Sequence, residues 1–348
     1  MHAAVLSGPG RLELRNVPTP ACPDQGVLVK VGACGICSAD IKMVAQGHPA
    51  LVYPRIPGHE ISGRVVQSTC SELEAGDRVQ VAPGLRCARC SHCLESADNQ
   101  CLHREILGFT LDGGFAEYLA VPLPDSRLQG RVTPLPQEVS YELATLAEPI
   151  ACCLNALSKL SIRGGENTVI VGAGPLGLLN GLIARSQGAG RLIFSEISKV
   201  RREKALEFGA DRVVDPQKES LSRLVMEETG GRGADLLIFA CAESGPDTKT
   251  LRMMARGGRI SLFSGIGTGF SDPRSDLNRI HYQELVLSGA YGCTADQNSQ
   301  AVDFIARNRD LLQGLISHKT GLDRIEQAFQ EAKSESSLKT VLEMENDQ

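Results

Sequence analysis

Between residues 167 and 288 the chain alternates short apolar, β-rich runs with helix-like stretches of about ten residues, and this alternation limits the fold more than any other feature. The runs are 168–172, 191–195, 212–214, 235–240, 259–263 and 285–288. Strands joined through helices run parallel, because a parallel return needs a long crossover. Six of them predict an α/β fold, a doubly wound parallel sheet of the Rossmann kind with helices on both faces. The first strand-to-helix turn reads Gly172-Ala173-Gly174-Pro175-Leu176-Gly177. That is the G-x-G-x-x-G spacing in the context it requires: Gly172 permits the tight turn, Gly174 lets backbone approach a pyrophosphate, and Gly177 lets helix and strand pack closely. Pro175, lacking an N–H, suits the first helical turn.

A dinucleotide is therefore the expected ligand of this half. Glu196 stands nineteen residues past Gly177, at the end of the next strand, where an acidic residue accepts the ribose hydroxyls and repels a 2′-phosphate. This favours NAD over NADP, although Lys199, Arg201 and Arg202 can soften the preference. Glu196 can also stand as a solvated charge favouring the next helix N-terminus.

At 348 residues the chain exceeds the ~250–300 that one core usually serves, so two lobes are expected. Before the alternating region, segments 27–31, 61–67, 77–81 and 115–121 lean to β and are punctuated by Gly and Pro, which suggests a compact, mainly antiparallel β lobe. After about Tyr291 come expected helices at 297–307 and 322–332 and a strand near 336–342, a tail able to return to the first lobe. The domains expected are 1–150, 151–289 and 290–348, the last completing the first. Formal net charge is −5, with 42% hydrophobic and 22% charged residues. This balance gives no field for a polyanion such as DNA. The N-terminal residues lack a basic, apolar leader, and the longest apolar stretch, 169–184, is short of a ~20-residue span. A cytoplasmic, membrane-free protein is expected, and its twelve cysteines read as metal ligands or buried thiols rather than disulfides.

Four of them, Cys87, Cys90, Cys93 and Cys101, fall in a 15-residue window. Four thiolates at these spacings can close a tetrahedron around Zn²⁺ with no open position, which makes such a site structural. An iron–sulfur cluster of the bacterial ferredoxin type needs a shorter last gap followed by proline, whereas here the gap is seven residues and Leu102 follows. The lobe 86–102 is thus expected to be pinned by zinc.

A second constellation is dispersed: Cys37, the pair His59-Glu60 after Pro57-Gly58, and Glu148 before Pro149. Neighbouring residues of a strand face opposite ways, so His59 and Glu60 can share a metal only if the backbone bends at Pro57-Gly58. Zn²⁺ with the Cys37 thiolate, neutral His59 and one carboxylate is a neutral site. Binding both Glu60 and Glu148 makes it negative and opposes ionisation of an alcohol, so one of the two is expected in the outer shell. The residues do not say which. Three protein ligands and an open position make a catalytic arrangement.

Taken together, Gly35-Ile36-Cys37 with Asp40, Gly58-His59-Glu60, the four-cysteine lobe, Gly113-Gly114-Phe115-Ala116-Glu117-Tyr118, Glu148-Pro149 and the glycine turn resemble the zinc-dependent medium-chain dehydrogenase/reductase family, nearly end to end. Glu148 in place of a cysteine is most similar to the polyol (sorbitol or L-iditol) and threonine dehydrogenase branch. The resemblance implies a chaperonin-10 (GroES)-like catalytic domain beside the Rossmann domain, two zinc ions per chain, NAD, an alcohol or ketone substrate and a homo-oligomer, dimer or tetramer. It implies Lewis-acid catalysis at Cys37, His59, Glu60 and Glu148, with hydride passing to the nicotinamide. By position, Leu176, Glu196 and Arg201 are expected to touch the cofactor, as are Ser264-Gly265-Ile266 and Tyr291. One departure stands out: Ala39 occupies the place where the family usually carries the Ser or Thr that starts the proton relay. Ser38, or water held by Lys42 or His48, is the expected substitute. Lys42 can also orient a hydroxylated or anionic substrate, or simply be a solvated charge.

Two other readings compete. A zinc-free NADPH-dependent enone or quinone reductase shares the two-domain plan but has no use for Cys37, His59, Glu60 and Glu148. A non-enzymatic zinc-ribbon module for nucleic acid or protein needs a basic face, yet Arg86, Arg89 and Arg104 are offset by Glu95, Asp98 and Glu105.

Overall fold

The computed structural model describes residues 1–123, 130–242, 244–265 and 277–344. They form two compact units, Met1–Ala151 with Cys293–Gln348, and Cys152–Gly292.

The first unit is built on one sheet whose neighbours run Ile316–Gly321, Lys339–Glu343, Gly26–Ile36, Glu60–Ser68, Arg78–Val81 and Val132–Pro134, with Tyr118–Pro122 also paired to Gly26–Ile36. Pairing is antiparallel except between the two C-terminal strands. The long central strand alternates Val27, Val29 and Val31 toward a core that also holds Ile61, Val65, Val79, Leu119 and Phe115. The C-terminal helix Ile325–Ala332 buries Ile325, Ala328 and Phe329, an i, i+3, i+4 face, in that core, and the Phe329 ring meets Phe115 edge-on at 6.0 Å. Each fully buried ring of this kind contributes about 1.5–3 kcal/mol, so the tail is part of the core. Its last strand lies antiparallel to Gly26–Ile36 with Thr340 opposite Ile36, one residue before Cys37.

The second unit is a six-stranded, all-parallel sheet in the order Arg212–Val214, Leu192–Ser195, Thr168–Val171, Ala234–Phe239, Met254–Leu262, Val286–Gly289. In chain order this is 3-2-1-4-5-6, the doubly wound arrangement whose ligand site lies where the order reverses. That point falls between Thr168–Val171 and Ala234–Phe239, and the glycine turn leads out of the first of them.

Differences from the sequence reading are local. The N-terminal strands His2–Leu6 and Leu12–Asn16 are not among the expected elements: the first has no alternation and the second alternates over only four residues, Leu12 to Arg15. The strand Ile316–Gly321 is half polar and gains its place only by pairing with Lys339–Glu343. The helix expected at 322–332 begins as a 3₁₀ turn, Leu322–Arg324, before the α-helix Ile325–Ala332. Among the described residues no helix is long and apolar enough to cross a membrane.

Candidate functional site

Cys37 caps the helix Ser38–Gln46, at the end of the strand Gly26–Ile36. Asp40, three residues on and fully buried, accepts a hydrogen bond from the Cys37 backbone N–H at 2.9 Å with one oxygen, and its other oxygen lies 3.1 Å from Nδ1 of His59. A carboxylate only accepts, so Nδ1 is the donor, and in the neutral ring, the form that binds a metal, Nε2 carries the lone pair. Burial alone lowers the His59 pKa, but the charge and hydrogen bond of Asp40, with those of Cys37, push it well above the usual value.

The bend required before Glu60 is present. Gly58 has φ +95°, a left-handed conformation that favours glycine. His59 therefore precedes the strand Glu60–Ser68 rather than lying in it. The segment Gly113-Gly114-Phe115 supports this elbow through Gly114 N–H to Gly58 O, 2.9 Å, and Phe115 N–H to Pro57 O, 3.0 Å.

As a result the ligand atoms of Cys37, His59 and Glu60 lie within 4.8 Å of one another. Cys37 is half-buried and the other two are buried. A thiol, an imidazole and a carboxylate gathered out of water suit a zinc ion with a vacant position. Glu148, in the first turn of the helix Ala147–Ser158, is outside this trio, but its charge acts on Glu60.

Two neighbours went unnoticed in the sequence. Lys339 donates to both Glu60 oxygens at 2.6 and 2.7 Å. Burial pushes the Glu60 carboxyl up, opposed by Lys339; burial works to lower Lys339, and the charges of Glu60, Cys37 and Glu148 with the Glu60 hydrogen bond together outweigh it. The charge balance drawn from sequence omitted this cation. Phe109 packs against both His59 and His48, ring centroids 5.4 Å apart in each case, forming an apolar wall beside the imidazole. Asp40 belonged to a quoted motif but carried no assigned role. Nothing local in sequence signals Lys339 or Phe109, which are brought in by strand pairing and by the loop after the four-cysteine lobe. Ser38 and Lys42 are exposed, and Nδ1 of the exposed His48 accepts from Ala50 N–H at 3.1 Å.

The four-thiol cluster is equally compact, its sulfurs within 4.8 Å of one another. Cys90 Sγ is 3.5 Å from that of Cys93 and 3.9 Å from that of Cys101. These bracket the edge of about 3.8 Å that a tetrahedron with 2.3 Å Zn–S arms requires, and far exceed a disulfide bond. Backbone N–H groups of Cys87 and His103 point at the Cys101 sulfur. Hydrogen bonds from the backbone of Leu102 and Cys93 draw Cys90 down to about 6. Burial and the adjacent Cys90 and Cys101 push Cys93 up to about 12. Sulfurs this crowded ionise together only around a cation.

In the second unit, Gly172 has φ +98°, and a Cβ on Gly177 would meet Gly172 O at 2.0 Å, so neither position takes a side chain without strain. Gly174 caps the helix Pro175–Ser186, with Pro175 at its start; the nearest atom to a Cβ added there is Arg201 Nη1, 4.0 Å away. The buried Glu196 carboxylate accepts from Ala173 N–H and Ser198 N–H, each at 2.8 Å, which fixes it at the mouth of the glycine turn. Each oxygen retains a lone pair. Leu176 lies in the first turn of the helix. Ser264 and Gly265 follow the strand Met254–Leu262, Tyr291 is exposed, and Ile266 lies outside the described residues.

Comparison with known proteins agrees with this anatomy. Residues 23–128 match the alcohol dehydrogenase GroES-like domain and residues 175–307 the zinc-binding dehydrogenase domain. An L-threonine 3-dehydrogenase of Pyrococcus horikoshii is 32% identical, covering 95% of this chain and 94% of its own. The chain belongs to the zinc-type medium-chain alcohol dehydrogenase family. Within that family a sorbitol dehydrogenase of Halalkalibacterium halodurans is 30% identical over 96% of both chains. Among solved structures, a zinc-binding dehydrogenase of Sinorhizobium meliloti bound to NADP superposes with a TM-score of 0.89 at 26% identity, covering 99% of each chain. The chain is thus an oxidoreductase by family, with a GroES-like domain and a Rossmann domain.

Proposed function

We propose that the protein is a zinc-dependent dehydrogenase passing hydride between a secondary alcohol, of the polyol or sugar-alcohol kind, and NAD. The observation that carries this reading is the convergence of Cys37, His59 and Glu60 within 4.8 Å, from separate stretches of the chain, beside a histidine oriented by Asp40. Cys37 and His59 with Glu60 or Glu148 hold the catalytic zinc, and Cys87, Cys90, Cys93 and Cys101 hold a structural one. A zinc ion with a vacancy supplies Lewis acidity toward a hydroxyl, and the nicotinamide supplies the hydride acceptor. Asp40 keeps His59 in the ligating tautomer. Phe109 excludes water from one flank of the imidazole, and Ser38, or water held by Lys42 or His48, takes the substrate proton outward in place of the hydroxyl missing at Ala39.

Arg201 and Leu176 line the glycine turn for the pyrophosphate, with Ser264, Gly265 and Tyr291 on the nicotinamide side. Glu196 supports NAD, because a carboxylate already fixed by two N–H groups cannot swing away from a 2′-phosphate. Glu196→Ala is expected to lower kcat/KM for NAD by about 10- to 100-fold, the scale of one lost charge-assisted contact, while raising relative use of NADP. A zinc-free reductase has no need of the Cys37 trio, and a ribbon module has no need of the Rossmann unit.

Among the described residues the strand Val286–Gly289 is the last of the parallel sheet, its Val286 and Leu287 are exposed, and so are Leu277, Tyr282 and Tyr291 in the flanking sequence. Open apolar edges invite pairing, which supports a homo-oligomer, and light scattering of Leu287→Lys against the parent tests it. The twelve cysteines, none of them in a disulfide, favour a reducing compartment, and the cytoplasm is the one proposed. The deciding assay is NADH absorbance with purified protein, NAD⁺ and a panel of polyols, inositols, sugar phosphates and L-threonine, alongside metal analysis. Turnover with two zinc per chain is expected. A protein with one zinc or none that reduces enones with NADPH would sink the proposal.

A further inference from the structure

Lys339 reaches the metal ligands from the far end of the chain. Its strand pairs with Gly26–Ile36, and its ammonium donates to both oxygens of Glu60 and, at 3.4 Å, to the carbonyl of Ile36. The two side chains are 6% and 1% exposed. Gly35 stands opposite Glu60 in the register, and a Cβ there would meet Glu60 Oε2 at 2.0 Å. The carboxylate is therefore seated in the space of a missing side chain and tied by a buried cation. Charge gives the tie a consequence. A divalent ion together with Lys339 balances the Cys37 thiolate, Glu60 and Glu148, so two carboxylates can share the centre without making it negative.

We infer that Lys339 is a positioning residue that tethers the Glu60 carboxylate and so keeps a place open on the metal for the substrate oxygen. This rests on the zinc reading above, in the form where Glu148 is the third ligand and Glu60 the outer carboxylate. Once the ammonium is removed, a carboxylate buried beside Cys37 and His59 has the metal as its remaining cationic partner. It then ligates fully, and the vacancy closes. A lysine that merely braces two strands predicts the opposite sign, since its loss would loosen the site and release metal.

The test compares the parent protein, Lys339→Met, Lys339→Arg, Glu60→Gln and the Lys339→Met/Glu60→Gln pair, by zinc release to a chelator, by the visible spectrum after cobalt substitution, and by kcat/KM. Lys339→Met is expected to release metal about tenfold more slowly and to show weaker cobalt bands of higher coordination number. Its kcat/KM is expected to fall about 10- to 100-fold, the usual scale for outer-shell partners of a metal. Lys339→Arg should stay near the parent. With Glu60→Gln present, Lys339→Met should change release no further, because the residue acts through Glu60. Faster release from Lys339→Met, or unchanged release and bands, overturns the inference. If Lys339→Met does not fold, Lys339→Gln, which loses the charge but little volume, is held to the same outcomes. A parent protein that holds no metal at the Cys37 trio removes the zinc reading itself, and that result is read before any variant is compared.

Discussion

The two cysteine-bearing centres of the first unit are built on opposite plans. The four-thiol lobe is assembled from one 15-residue window, its sulfurs 3.5 and 3.9 Å apart where measured from Cys90, with backbone N–H groups as its outer contacts. The Cys37 cluster draws on residues 37, 40, 59, 60 and 339, and its outer contacts are buried charged side chains, Asp40 and Lys339. Four thiolates saturate a metal and leave it inert, whereas a mixed set of thiol, imidazole and carboxylate leaves room for chemistry. The contrast teaches that a local sequence can build a staple, while a reactive centre here needs partners that only a sheet brings together.

The sharpest way to break this contrast is to exchange one ligand in each centre. Cys37→Ser is expected to lower kcat by about 10³-fold or more, about 4 kcal/mol of barrier, with an unchanged melting temperature, checked by steady-state assay and calorimetry. Cys90→Ser is expected to lower Tm by about 5–10 °C through loss of the local metal, with kcat of the folded fraction little changed. Equal unfolding in both variants would erase the distinction between staple and centre.

Smaller effects refine it. Lys42→Ala is expected to cost a few-fold in kcat, on the low side of general acid–base contributions, and to alter the pH profile; unchanged kcat, KM and profile would leave Lys42 a solvated charge. The C-terminal strands are tied a second time by Lys319, 2.5 Å from Glu142. Burial raises the Glu142 carboxyl, but hydrogen bonds from Lys319, from its own backbone N–H and from Ser140, with the Lys319 charge, bring it down to about 2. A folded pKa below the unfolded value near ~4.3 means this contribution is complete above that pH and fades as pH falls toward 2. Because the pair is partly exposed, screening keeps its effect small. Lys319→Met is expected to move the acid-unfolding midpoint upward by a fraction of a pH unit, read by circular dichroism.

Much of this anatomy was legible because its signals are periodic or close in sequence. The six β-rich runs correspond to the six strands of the parallel sheet, since each is apolar and bounded by turn residues. Gly172 and Gly177 declared their turn through positions that backbone sterics reserve for glycine, and Gly174 leaves the helix start open beside them. The N-terminal strands and Ile316–Gly321 were not foreseen, because edge and half-polar strands owe their state to the partner they pair with.

Residue types and spacing by themselves determined the doubly wound sheet, the glycine turn, the clustering of four thiols and the shortlist Cys37, His59, Glu60 and Glu148. Tertiary structure alone decided that Asp40 holds His59, that Phe109 walls it, and that Lys339, 279 positions from Glu60, ties its carboxylate. The physical reason is range. Turn sterics and helix spacing act over a few residues and are written in the local sequence. An ion pair between buried side chains depends on strand order and register, which the packing of the whole core selects.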